Sequence, residues 1–297
     1  MTRDVTVLAE GHSFLEGPRW HDGRLYASDF FTRRVLVFGE DGSSETVCSV
    51  EGMSSGLGFD PDGALLISSM TDKRVLRLRD GELELVADLA DRAGGVCNDL
   101  LADERGGAYV GNFGWDVSAD DRTQTTDLLY VGADGAVTVA ASGVVFPNGM
   151  TISPDGATLL LAETFAGRIS AFDRAADGTL SNRRFWAEFE PGGFETTTAA
   201  CASGVPLPDG MALDADGAVW IGDAAGSGAV RVGEGGEILD RVEVGEGQTA
   251  YAVALGGADR RTLFLCAAVP FVEGDPANVH VARLLSCRVE VPGAGRP

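Results

Sequence analysis

Lysine is nearly missing from this 297-residue chain: Lys73 stands alone, and Lys plus Arg number 23 against 45 Asp plus Glu. The formal net charge is −22. That balance excludes nucleic-acid binding, which needs clustered cations to neutralise phosphates. It also disfavours an anionic membrane surface, and Schiff-base chemistry has a single weak candidate. Histidine is scarce, with only His12, His21 and His280, so a zinc centre built on imidazole has little material. The five cysteines (Cys48, Cys97, Cys201, Cys266 and Cys287) are odd in number, widely spaced and without a CxxC pair. They fit free thiols in a reducing compartment, and the cytoplasm is the expected location. No apolar run approaches the ~20 residues that span a bilayer. Met1–Glu10 has acidic residues and no long apolar stretch, so no secretory leader is expected. Amphipathic helical periodicity is also wanting; Leu89–Arg92 is the nearest thing to a helical turn.

What the chain does have is apolar residues (44%), 41 glycines and a repeat. Two or three small residues, an apolar residue, an Asp or Pro-Asp-Gly turn and an apolar strand recur along the chain, with a weaker third copy and a degenerate sixth. The copies start at Glu16, Ser55, Asn98, Asn148, Asp209 and Tyr251, which are 39, 43, 50, 61 and 42 residues apart. A period of ~40–50 residues with several short strands per unit is the signature of a β-propeller. Within the first unit, Leu25–Ser28, Arg34–Phe38 and Glu45–Ser49 read as strands, with Asp22-Gly23 and Asp41-Gly42 between them. Asp80-Gly81, Asp134-Gly135 and Asp177-Gly178 play the same part later. The chain is therefore expected to be all-β: one six-bladed propeller domain over residues 1–297. The last unit lacks an outer strand, and Asp4–Leu8 should supply it and close the ring. Two packed sandwiches would not need a repeated phrase at this period. Two long spacings locate insertions at Asn112–Asp127 and Glu190–Leu207, and Pro270–Asn278 is a third candidate binding loop.

Equivalent positions in a propeller lie on one ring around the axis. Four of the six starting residues, Glu16, Asn98, Asn148 and Asp209, carry oxygen donors. Two carboxylates and two amide oxygens suit a hard divalent cation, above all Ca²⁺, with Mg²⁺, Mn²⁺ or Zn²⁺ as lesser candidates. Asn148-Gly149 and Asp209-Gly210 are also ordinary turn dipeptides; the shared register favours the metal ring. Ser55 shares the ring without an evident His partner. Cys97 reads as a buried structural thiol and His12 as a surface or strand-end residue.

Glu16-Gly-Pro-Arg-Trp20, Asn98-Asp99, Pro147-Asn-Gly-Met150 with Ser153-Pro-Asp-Gly156, and Pro208-Asp-Gly-Met-Ala-Leu-Asp214 with Trp220 together resemble the SMP-30/gluconolactonase family. Gly178-Thr-Leu-Ser-Asn-Arg-Arg184 is also typical of it, and the resemblance covers roughly Leu15–Ala267. It implies a six-bladed propeller with a divalent metal in the central channel. Glu16, Asn148 and Asp209 correspond to the family's metal ligands, and Asn98 to a residue that binds substrate or approaches the metal. Sugar-acid lactonases of the family typically carry Arg two residues before that Asn; here the position is Val96. The departure points to a less polar lactone or ester, with Phe113, Trp115 and Phe165 as candidate pocket residues. Phe146 fits the inter-blade core better.

The function these readings favour is metal-dependent lactone hydrolysis. The metal would polarise the carbonyl, and Asp209 would act as general base toward water. Direct attack by a metal-generated hydroxide is the other route left open. A phosphotriester hydrolase on the same ring, or a noncatalytic calcium-binding propeller, are the competing functions; a strictosidine-synthase-like propeller, needing no metal, is weaker. The partner is a small-molecule substrate, and the protein is expected as a monomer or small homo-oligomer.

Overall fold

The structure, a computed structural model, describes residues 3–39, 41–270 and 280–295. The first strand, β1 (Thr6–His12), belongs to the last sheet. Blade 1 is β2 (Leu15–His21), β3 (Arg24–Asp29), β4 (Arg34–Phe38) and β5 (Ser44–Ser49). Blade 2 is β6 (Ser54–Phe59), β7 (Leu65–Ser69), β8 (Arg74–Arg79) and β9 (Glu82–Asp88). Blade 3 is β10 (Cys97–Ala102), β11 (Ala108–Asn112), β12 (Thr126–Val131) and β13 (Val137–Val144). Blade 4 is β14 (Pro147–Ile152), β15 (Thr158–Glu163), β16 (Arg168–Arg174) and β17 (Leu180–Glu188). Blade 5 is β18 (Pro208–Leu213), β19 (Val219–Asp223), β20 (Gly228–Val232) and β21 (Ile238–Glu243). Blade 6 is β22 (Thr249–Gly256), β23 (Thr262–Ala268), β24 (Ala282–Arg288) and β1, which pairs antiparallel with β24 from Thr6 to His12. The N-terminal strand thus closes the ring as expected, in a six-bladed propeller.

Turn chemistry sets the blades. Asp22-Gly23 and Asp80-Gly81 both have positive φ at both residues (47° and 78°; 51° and 83°), the geometry of tight two-residue hairpins. In the equivalent turn of blade 2, the Asp60 carboxylate accepts from the N–H groups of Asp62 and Ala64. Asp214 does the same for Asp216 and Ala218. The recurring Asp of the repeated phrase is therefore a turn builder.

Each interface between neighbouring blades has its own apolar core. Between blades 1 and 2, Val35, Val50, Leu57, Leu65 and Ile67 are buried together. Between blades 5 and 6, Trp220, Val253, Leu263, Leu265 and Leu285 do the same. The inner strands touch in cyclic order, β2, β6, β10, β14, β18, β22 and back to β2. That approach is close: a Cβ at Gly149 would stand 2.4 Å from the Asp209 carbonyl oxygen.

Leu89–Arg92 is a single turn, closed by Ala93 N–H on the Leu89 carbonyl at 2.8 Å, and the α-helix among the described residues is α1 (Thr197–Cys201), inside the Glu190–Leu207 insertion. Five residues carry too little periodicity to be seen in sequence; α1 holds because the Thr196 hydroxyl caps Ala199 N–H at 3.1 Å. Both long insertions leave the blades at the end where the inner strands start, and they are tied together. Arg122 and Thr196 form an antiparallel bridge. Thr197 N–H donates to the Asp121 carbonyl (2.9 Å), Thr198 N–H to the Asp121 carboxylate (2.9 Å), and Thr123 N–H to the Glu195 carbonyl (3.0 Å). Of the third candidate loop, 271–278 lie outside the described residues.

Candidate functional site

The pairing register explains why the six starting residues share a ring. Leu15 pairs with Asp29, Cys97 with Asn112, Pro147 with Glu163 and Pro208 with Asp223. The ladder slips at a bulge or irregularity directly after Cys97, Pro147 and Pro208, and in blade 1 after Glu16, which pairs with Ser28. Blades 2 and 6 slip likewise after Ser54 and Ala250. Ser55, Asn98, Asn148, Asp209 and Tyr251 stand in the slip itself, and Glu16 stands immediately before its own. A bulge frees a side chain from the ladder and re-aims it, a common device beside functional sites.

Asn98, Asn148 and Asp209 are each 6% exposed. The Asn98 amide nitrogen donates to the Pro147 carbonyl at 3.3 Å, and that of Asn148 to Thr164 Oγ1 at 3.2 Å. Thr164 in turn donates to the Pro208 carbonyl at 2.8 Å. Both amides are anchored on the blades through their nitrogens, Asn148 also hydrogen-bonds the Asp209 carboxylate, and the amide oxygens are left for a ligand. Asp209 Oδ1 is buried with no hydrogen-bond partner. Glu16 accepts one hydrogen bond, from Gly17 N–H at 3.1 Å. Burial and then repulsion from Asp99 push Glu16 up to about 8. Burial, Glu16 and Asp99 push Asp209 well above the carboxylate range. An orphaned buried carboxylate oxygen beside a second acid costs free energy unless a cation joins them. With two amide oxygens, this is the donor chemistry of a hard ion such as Ca²⁺. Among the described residues no group of three or more His, Cys, Asp or Glu side chains is placed to hold a metal, so an ion here would rest on amide oxygens as well as acids.

Sequence reasoning missed Asp99 and Arg19. Asp99 is 5% exposed and Arg19 4% exposed, and Arg19 Nη2 lies 3.1 Å from Asp99 Oδ1. The signal was there to find: stacked under the ring, the other copies read Gly17, Gly56, Gly149, Gly210 and Ala252. Asp99 is the one residue of that column with a functional group.

Around the ring lies an apolar rim. Two residues before the ring residue stand Phe14, Met53, Val96, Phe146 and Leu207. A buried cluster of Phe14, Phe30, Met70, Tyr251 and Ala268 has Phe31, Met53, Val96 and Phe113 packed on it. Phe146, expected in an inter-blade core, instead stacks on Phe113 (4.4 Å between centroids) and packs edge-on to Phe165 (4.7 Å). Its φ of 46° turns the side chain out of the strand path toward them. Val96, Phe113 and Phe165 are half-buried. Trp115 is 5% exposed and backs this group, with its indole N–H on the Asp120 carbonyl at 3.0 Å.

The remaining candidates are structural. Cys97 is fully buried between blades 2 and 3, and burial pushes its thiol up to about 12. All five cysteines are free thiols. His12 ends β1 but is buried, edge-on to Phe38 and 3.9 Å from Asp29, so it is no surface residue. The ring residue Ser55 accepts the Ser28 hydroxyl on its carbonyl at 2.7 Å. No helix among the described residues is long and apolar enough to cross a membrane.

A six-bladed propeller with polar residues of blades 1, 3, 4 and 5 at equivalent positions of their inner strands is the class this geometry defines. The chain belongs to the SMP-30/gluconolactonase/LRE-like family, whose model matches residues 14–269. It is 29% identical to the pentonolactonase XacC of Haloferax volcanii over 95% of this chain and 92% of that protein. It is 26% identical to a 6-deoxy-6-sulfogluconolactonase of Pseudomonas putida over 95% and 93%. Among solved structures it is similar to regucalcin of Agrobacterium tumefaciens, described as a calcium-binding protein. That match has a TM-score of 0.79 at 23% identity, over 100% of this chain and 97% of that one. The expectation of a lactonase-class enzyme agrees with the names of the curated relatives.

Proposed function

We propose that this protein hydrolyses a lactone with a divalent cation, Ca²⁺ foremost, held by Glu16, Asn148 and Asp209, with Asn98 completing the set or contacting substrate. The observation that carries the reading is the partnerless, buried Asp209 Oδ1 beside Glu16. Lactonase relatives over nearly the whole chain support the reaction class. A bound divalent ion supplies Lewis-acid polarisation of the lactone carbonyl and stabilises charge on its oxygen. The chain's own residues do the rest. Asp209 offers a second carboxylate oxygen that accepts a proton from the attacking water. Asn98 and Asn148, anchored through their amide nitrogens, keep their oxygens oriented without rearrangement. The apolar rim excludes bulk water and strengthens every charge interaction at the ring.

The rim also supports a substrate less polar than an aldonolactone. Val96, Phe113 and Phe165, with Trp115 behind, offer apolar contact and no charge to hydroxyl-rich rings. The test is hydrolysis of a panel of aldonolactones and alkyl-substituted γ- and δ-lactones by chelator-treated protein, with Ca²⁺, Mg²⁺, Mn²⁺ or Zn²⁺ returned. Metal-restored turnover, faster on the alkyl lactones, is the expected result. Turnover indifferent to chelation removes the metal from the reaction, and preference for aldonolactones removes the substrate reading.

A further inference from the structure

Beneath the ring the channel holds a buried ion pair that lactone chemistry does not require. Arg19, from blade 1, reaches Asp99 and the Leu100 carbonyl of blade 3, at 3.1 and 2.8 Å from Nη2. Its Nη1 donates to the Pro18 carbonyl at 2.9 Å. Blade 2 lies between them, and Gly56 makes room: a Cβ there would stand 1.9 Å from Leu100 N. Resting on the cation reading above, we propose that Arg19 sets the charge of the cation site. By pairing with Asp99 it leaves Glu16 and Asp209 as the two uncompensated negative charges facing a bound cation, and so matches the channel to a divalent rather than a trivalent ion.

Three buried or half-buried carboxylates, Glu16, Asp99 and Asp209, share this channel. Asp99 is committed elsewhere: its Oδ1 accepts from Arg19 and from Leu100 N–H at 2.8 Å. With that oxygen turned to Arg19 and the Leu100 N–H, Asp99 enters the proposal as a charge near the ion. Its field reaches both Glu16 and Asp209, and the Arg19 field reaches Glu16. Without the guanidinium, three negative charges would face the ion. A site of fixed donors discriminates ions of similar radius by charge, and in a low-dielectric channel one added unit weighs heavily. A purely structural cross-link between blades 1 and 3 would instead weaken every ion alike when cut.

The test is calorimetric titration of the chelator-treated full-length protein with Ca²⁺ and separately with La³⁺, an ion of similar size and one more charge. The readout is the ratio of the two affinities. Arg19→Met should move it toward La³⁺ by about tenfold or more. Asp99→Asn should move it toward Ca²⁺, and Arg19→Lys should keep it within about threefold of wild type. The double variant, Arg19→Met with Asp99→Asn, restores two net charges, should return the ratio to wild type, and leaves no unpaired buried ion. It is the reference if a single variant fails to fold. A ratio unmoved within about threefold in the single variants, or a double variant no nearer wild type than they are, overturns the inference. Wild-type protein that binds neither ion overturns the metal reading itself; wild-type binding with an unmoved ratio overturns only the role of Arg19.

Discussion

Two sets of buried acids sit within one strand of each other, and their surroundings could hardly differ more. At the ends of the second strands, Glu163 accepts from Arg168 (2.9 Å), Arg183 (2.5 Å), Ser170 (2.5 Å) and Val145 N–H (2.8 Å). Asp29 accepts from Ser13 N–H (3.0 Å), the Ser13 hydroxyl (2.5 Å) and Arg34 (3.0 Å). These partners overcome desolvation, and both acids lie below their ordinary range. At the inner strands, Asp209 leaves one oxygen without a partner and Glu16 accepts one backbone N–H; both lie above it. Asp223 marks the boundary. Backbone donors hold it, Arg241 acts on it only through its charge, and burial still raises it. Acids of the first set tie loops to blades, whereas burial and mutual repulsion dominate those of the second.

The sharpest way to break this comparison is to neutralise one acid of each set. Asp209→Asn should lower lactone turnover by at least about 10²-fold at matched metal occupancy, measured by steady-state kinetics. Near-normal turnover would sink its assignment as base. Glu163→Gln should lower stability by about 3 kcal/mol by stranding two guanidinium groups. Its remaining folded fraction should keep wild-type kcat, as urea unfolding and active-site titration would show.

The two sets also respond to pH with opposite sign. A carboxylate whose folded pKa is raised favours the folded state most below its unfolded value. Metal-free protein should therefore lose stability through Glu16 as pH rises from about 4.5 to about 8. Saturating Ca²⁺ should flatten that slope. Asp29 and Glu163, held low, stabilise above the ordinary carboxylate range, and their contribution is lost as pH falls below it. Thermal melts from pH 4 to 9, with and without Ca²⁺, separate the two. A slope that Ca²⁺ leaves untouched would detach Glu16 from cation binding. The smallest effect concerns the rim: Val96→Arg should shift the kcat/KM ratio toward polyhydroxylated lactones by about tenfold, and an unchanged ratio would remove Val96 from substrate recognition.

Much of this was legible in the sequence because propeller blades are repeats. The Asp-Gly turns gave the hairpins, the missing outer strand gave the closure by β1, and the register gave Glu16, Asn98, Asn148 and Asp209. What stayed hidden depends on neighbours distant in sequence. Arg19 meets Asp99 only because Gly56 lets blade 3 approach. Phe146 leaves the blade core because an unusual φ turns it toward Phe113 and Phe165. The short α1 is held by a cap and by the facing insertion. Polar second-strand residues did repeat as a column, Asp29, Ser69, Asn112, Glu163 and Asp223, but a column alone does not reveal whether an acid in it is paired.

The central claim is that the unpartnered ring acids hold a cation. Titration of chelator-treated protein with Ca²⁺ at pH 8 tests it most directly. The account predicts saturable binding at one ring site per chain in the wild type, weakened at least about tenfold by Asp209→Asn and unchanged by Glu163→Gln. No saturable binding by the wild type, or equal binding by Asp209→Asn, would contradict it.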